Sequence, residues 1–244
     1  MEDAALILPI LIFIAALLYS TVGHAGASGY LAAMALCGVV PAQMKPAALA
    51  LNILVAVIGT AQFVRAGHFQ WRLLWPFIVA SIPCAFLGGR IDLAPQVYRP
   101  IVAVVLIASA ARMAWIVRRV DDVGTPPPVA LALPIGAVLG FVSGLTGVGG
   151  GIFLSPLFLF CRWAGTKATA AASVAFILVN SIAGLVGHAG ADRSFPPQLG
   201  SWALAAVAGG AIGSWLGSRK AAPPVLRALL AVVLVVAGGK LLLA

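Results

Sequence analysis

The hydropathy pattern is dominated by two stretches, 4–44 and 123–161, that hold no Asp, Glu, Lys or Arg. At 1.5 Å per residue either would make roughly 60 Å of helix, about twice the hydrocarbon core of a bilayer. Each must therefore fold back, and glycine marks the place. The first break reads Val22-Gly23-His24-Ala25-Gly26-Ala27-Ser28-Gly29; the second reads Gly144-Leu145-Thr146-Gly147-Val148-Gly149-Gly150-Gly151. Further apolar segments at 46–64, 73–89, 97–117, 168–187, 198–217 and 224–243 bring the total to ten.

Composition turns this pattern into a class. The chain is 62% hydrophobic and 9% charged, where ordinary soluble domains carry roughly 25% charged residues. A water-soluble globule is excluded, and an all-α polytopic membrane protein is expected. The net charge of +9 comes from bases set singly or in pairs at segment ends, such as Arg118-Arg119 and Arg219-Lys220. That is the distribution of membrane loops, and without a basic run it gives no nucleic-acid surface. The acidic start, Met1-Glu2-Asp3, is unlike a secretory n-region, so the first apolar run is expected to stay as a membrane helix. Cys37, Cys84 and Cys161 are isolated in apolar stretches; they are expected to be buried small hydrophobes, with neither disulfide nor zinc spacing.

The only stretch of linker composition, Arg118 to Pro128, divides two similar halves. Gly23 and Gly26 align with Gly147 and Gly150, Lys45 with Lys167, and Ser81, Ala85 and Gly89 with Gly209, Gly213 and Gly217. The last set forms small-xxx-small stripes suited to close helix packing. The expected organisation is a first repeat 1–118, a central loop 119–127 and a second repeat 128–244. With ten crossings, Arg65, Arg72, Arg112, Arg118, Arg119, Arg162, Lys167, Arg219, Lys220 and Arg227 share one side. Lys45, Arg90, Arg99, Arg193 and Lys240 take the other. The larger group is expected to be cytoplasmic, and five segments per half make the repeat inverted. The second and seventh segments are the weak members, since 27–40 makes only about 21 Å of helix; were both re-entrant, eight crossings would remain, with seven bases on one side against eight on the other and no preferred orientation.

The chemistry sits at the breaks. Five glycines between 144 and 151 end a helix even in lipid, at about 1 kcal/mol each. Irregular backbone at membrane depth survives only when covered by protein or lining a cavity. The helix that restarts offers unpaired N–H groups to an anion, and glycine permits close approach; pure packing is the rival use. Candidate substrate-binding residues are Gly23, His24, Ala25, Gly26 and Ser28 in the first break, Gly147, Gly149, Gly150 and Gly151 in the second, and Asn52 and Asn180 in the third segment of each half. The apolar segments hold no Asp or Glu, which argues against a cation pathway or an acidic proton relay. His24 and His188 are the candidates for proton coupling, while Lys45 and Lys167 are expected to snorkel or to attract an anion. No Walker sequence, dinucleotide fingerprint, HExxH or Ser/His/Asp pattern is present, so an enzyme and a bound cofactor are not expected.

The element Gly144-x-x-Gly147-x-Gly149-Gly150-Gly151 followed by Ser155-Pro156-Leu157, its degenerate N-terminal copy and the two-half plan resemble the TauE/SafE family, the sulfite exporter-like permeases of the inner membrane. The resemblance spans 6–243, although Ala32 stands where Pro156 would align. It implies alternating-access transport of small sulfur-containing anions such as sulfite, sulfonates or thiosulfate, with protons or another ion as coupling partner and the lipid bilayer as solvent. A passive anion channel or a non-transporting membrane subunit is the other reading.

Overall fold

A computed structural model describes residues 2–114, 125–188 and 195–219, with Val235 and Gly239. The described residues form helices α1 (Glu2–Ser20), α2 (Ala27–Leu36), α3 (Pro41–Arg65), α4 (Trp71–Arg90), α5 (Pro95–Ala114), α6 (Val129–Thr146), α7 (Gly151–Phe160), α8 (Thr166–Gly187) and α9 (Leu199–Arg219). The expected segment 224–243 and most of the central loop lie outside the described residues. α3, α4, α6, α8 and α9 are each long and apolar enough to cross a bilayer. Large apolar side chains face outward, among them Phe160, Leu204, Val104 and Val138. That surface suits lipid rather than water.

The centre is the pair α3–α8. A Cβ on Gly59 would lie 2.8 Å from Val174, and Gly184 faces Leu49 in the same way. These contacts run the two helices antiparallel. They also put Asn52 and Asn180, both fully buried, at the same level of the pair. α9 flanks α3 and α4 flanks α8; α1 then lies along α9, and α6 along α4.

Those two outer pairs are joined by glycine. A Cβ on Gly136, Gly140 or Gly144 would run into the carbonyls of Phe77, Ser81 and Ala85. On the other side Gly209, Gly213 and Gly217 meet the carbonyls of Phe13, Leu17 and Thr21. Both series advance one turn per rung, so each pair is parallel. Only a residue without a side chain lets backbones come this near. The stripe expected at Ser81, Ala85, Gly209, Gly213 and Gly217 therefore packs, in each case against the other half of the chain.

Three expectations are corrected. α2 and α7 hold ten residues each, about 15 Å of helix, so neither crosses the core as helix alone; each passes between the two ends of the α3–α8 pair only together with its glycine break, for Gly23 meets Ala170 near the start of α8 and Gly147 meets Lys45 near the start of α3. Lys45 does not snorkel: it is buried and bonded to carbonyls of the α4 end. The cysteines form no disulfide with one another but are not buried, for Cys37 and Cys84 are partly exposed and Cys161, at the end of α7, is exposed.

Candidate functional site

The chain leaves helix twice where the glycines were concentrated. Between α1 and α2, Gly23 and Gly26 adopt φ of +78° and +112°, and Ala25 joins them at +56°. Between α6 and α7, Gly147, Gly149 and Gly150 adopt +85°, +81° and +75°. These are left-handed conformations that ordinary residues avoid. The freed backbone groups find internal partners, as buried groups must. Tyr30 donates its hydroxyl to the Ala25 carbonyl (2.6 Å), and Tyr98 donates to Thr146 (3.1 Å). Asn52 donates from Nδ2 to Gly147 (3.1 Å), so a mid-helix amide of α3 holds the second break.

The first break reaches across the molecule through His24. Its Nε2 shares a 2.8 Å hydrogen bond with Ser155 Oγ on α7, and Ser155 shares a 2.6 Å bond with Ser173 Oγ on α8. All three residues are buried. Gly151, which opens α7, packs on the backbone of Ser173: its Cβ would lie 2.7 Å from that carbonyl oxygen. Both breaks thus meet at one turn of α8. The first bonds at the start of α7 run from the Phe153 and Leu154 N–H groups to the Gly150 carbonyl, so the N–H groups of Gly151 and Ile152 precede the helical ladder and lie at the positive end of its dipole.

Other candidates fall nearby or apart. Ser28 donates to the Tyr19 hydroxyl (3.0 Å), steadying the first break. Asn180 donates along its own helix, to the Phe176 carbonyl (2.8 Å). The Oδ1 atoms of Asn52 and Asn180 and the hydroxyls of Ser20, Ser143 and Ser181 are buried with no hydrogen-bond partner. Ser143 borders the second break, since a Cβ on Gly150 would stand 3.3 Å from its own Cβ. Unspent capacity of this kind requires a physical explanation, and a polar ligand supplies one.

The glycines also have a packing use. At Gly149 a Cβ would lie 2.8 Å from Ile177, at Gly150 2.9 Å from Phe176, and at Gly23 inside the Ala170 carbonyl. Ser155 and Ser173 were not among the candidates drawn from sequence. Serines inside apolar segments were the available signal, but only the fold pairs these two with His24.

The family model described as "Sulfite exporter TauE/SafE" matches residues 8–241. A protein of Sinorhizobium fredii (strain NBRC 101917 / NGR234), named "Probable membrane transporter protein y4hK", is 45% identical over 99% of this chain and 100% of its own length. A "Probable membrane transporter protein" of Haemophilus influenzae (strain ATCC 51907 / DSM 11121 / KW20 / Rd) is 30% identical over 55% of this chain and 52% of its own. No solved structure matches.

Proposed function

The chain belongs to the sulfite exporter TauE/SafE family and is a multi-pass membrane transporter, and on that premise we propose that it carries a small sulfur-containing anion across the bacterial inner membrane. Sulfite, sulfonates and thiosulfate are the cargo class. The observation that carries this reading is the buried chain His24–Ser155–Ser173, set beside the N-terminus of α7 and free of carboxylates. Hydroxyls, an imidazole and helix N–H groups are donors, and donors are what sulfur oxyanions bind. His24 is the one titratable member of the chain, so coupling to protons would run through it.

The helix pairing supports two repeats, 1–118 and 128–244 joined by 119–127, of opposite orientation. α1 lies along α9 as α6 lies along α4, and the two central helices, third in each half, run antiparallel. Transporters built in this way expose a central site alternately to either side. Uptake into proteoliposomes, screened with labelled sulfite, thiosulfate, taurine and sulfoacetate, tests the proposal. One of these anions is expected to show saturable uptake and counterflow. Unsaturable flux without counterflow would make the protein a channel, and no flux for any of them would remove the cargo class.

A further inference from the structure

The two ends of the α3–α8 pair carry matching polar clamps. At one end Lys45, near the start of α3, donates from Nζ to the carbonyls of Gly89 (2.8 Å) and Ile91 (2.9 Å) at the close of α4. Asp92 follows directly: its Oδ1 is 3.9 Å from Lys45 Nζ and 3.2 Å from Nδ1 of His188, the residue that caps α8. At the other end Lys167, near the start of α8, donates to the carbonyl of Gly217 (2.9 Å). His68, just past the end of α3, donates from Nε2 to the carbonyl of Ser218 (3.1 Å). Gly217 and Ser218 close α9.

The two clamps share an outline. A lysine from the start of one central helix bonds carbonyls at the close of an outer helix, and a histidine from the end of the other central helix joins it there, on the Asp92 side chain just past α4 and on the Ser218 carbonyl of α9. The last carbonyls of a helix lack intrahelical donors and carry partial negative charge, which is why cations settle there. The correspondence extends to the closing arginines, for Arg90 lies over Phe86 (5.9 Å) and Arg219 over Trp215 (4.9 Å). In each clamp the lysine and the outer helix belong to one half of the chain, and the histidine to the other. The histidine is therefore the member that ties the halves together at its end, while the lysine fixes the end of the outer helix that the histidine meets. Parting the halves at one end would separate that histidine from its partner and leave the clamp at the other end made.

We propose that these clamps are the two gates of the transport path, with Lys45 and Lys167 as the positioning residues that open and close them. The proposal rests on the transport reading above and deepens it. Both gates are closed in this structure. An arriving sulfur oxyanion offers either ammonium an acceptor that carries full negative charge in place of a neutral carbonyl. Lysine turning to the anion releases the end of its outer helix, so the cargo itself unlocks the gate that it enters. Asp92, half exposed beside buried Lys45, holds the same ammonium from the water side.

The test follows a thiol between the gates. In full-length protein with Cys37, Cys84 and Cys161 replaced by Ser, Ser155→Cys is labelled in proteoliposomes by a membrane-impermeant maleimide bearing a quaternary ammonium, added to one face at a time. Lys45→Met is expected to raise the labelling rate about tenfold from the Lys45 face alone, the factor that follows from losing a hydrogen bond to a charged group. Lys167→Met is expected to do so from the opposite face alone, and Lys45→Arg to stay near the parent. Asp92→Asn alters an exposed side chain and puts little of the fold at risk; it is expected to raise labelling from the Lys45 face. Unchanged rates in these variants, or equal acceleration from both faces, would overturn the gates. Labelling needs no cargo, so one-sided openings in a chain that moves no sulfur anion would remove the cargo and keep the gates. Transport with labelling indifferent to either lysine would do the reverse.

Discussion

Nε2 of His24 lies 2.8 Å from Oγ of Ser155, a hydrogen bond between residues 131 positions apart that ties the first glycine break to the helix beyond the second. With Ser173 2.6 Å further on, the bond makes a continuous polar line from the first break to α8. Removing the imidazole leaves two buried hydroxyls with one partner fewer. His24→Leu is expected to lose about 1–3 kcal/mol of stability, the range for a buried hydrogen bond deprived of one side, and to abolish uptake. His24→Gln keeps a donor and is expected to recover the stability but not the response of uptake to pH. Thermal unfolding and uptake measured from pH 5 to 8 check both statements.

The parallel pairs α1–α9 and α4–α6 give a prediction with a built-in control. Gly140→Ala and Gly213→Ala would each press a methyl into a backbone carbonyl, of Ser81 and Leu17, which cannot swing aside. Each is expected to destabilise by about 1–3 kcal/mol, the usual range for overpacking. Gly200, in the first turn of α9, has nothing within 4 Å of the same position. Gly200→Ala is expected to be neutral or to stabilise by up to about 1 kcal/mol, through helix propensity. Melting temperatures of the three variants in detergent separate the cases.

Asn52 and Asn180 occupy one level of the central pair but play unequal parts. Asn52 holds the Gly147 carbonyl in the other half, whereas Asn180 bonds within its own helix. Asn52→Leu leaves a buried carbonyl without its donor, at about 1–3 kcal/mol; Asn180→Leu leaves a helical carbonyl that α8 already satisfies. Unfolding of the two variants is expected to show the larger loss for Asn52.

Sidedness follows from the antiparallel pair. Cys161 lies between α7 and the start of α8, and Gln70 lies between the end of α3 and α4. Both therefore belong to the Lys167 end, which is expected to be cytoplasmic from the excess of Lys and Arg that ten crossings place there. Gln96, in the first turn of α5 beyond Asp92, belongs to the other. An impermeant thiol reagent is expected to reach Cys161 and a Gln70→Cys variant only from the cytoplasmic face, and Gln96→Cys only from outside.

Helix positions were largely legible in the chain, because a span needs a long apolar run and prolines mark its ends. The segment expected at 46–64 is α3, Pro41–Arg65. It starts earlier because proline suits a first helical turn and because carbonyls of α4 accept the Lys45 ammonium, so its charge need not lie outside. The breaks were legible too, since only glycine takes φ near +80° readily. Their partners were not: nothing local tells Ser155 from Ser181, and His24 meets the former only through the crossing of α7 and α8. The matched lysines were visible as a repeat, yet the carbonyls that they hold exist only once α4 and α9 end beside them.

The central claim is that a sulfur-containing anion binds at His24, Ser155 and Ser173, and anion-dependent thermal stabilisation of the purified protein tests it without requiring transport. A ligand at about 100 times its Kd stabilises the folded state by about 2.7 kcal/mol. The account predicts that the anion taken up by wild type raises its Tm, and leaves that of Ser155→Ala and Ser173→Ala where it was. An equal rise in wild type and both variants would place the anion elsewhere and contradict it.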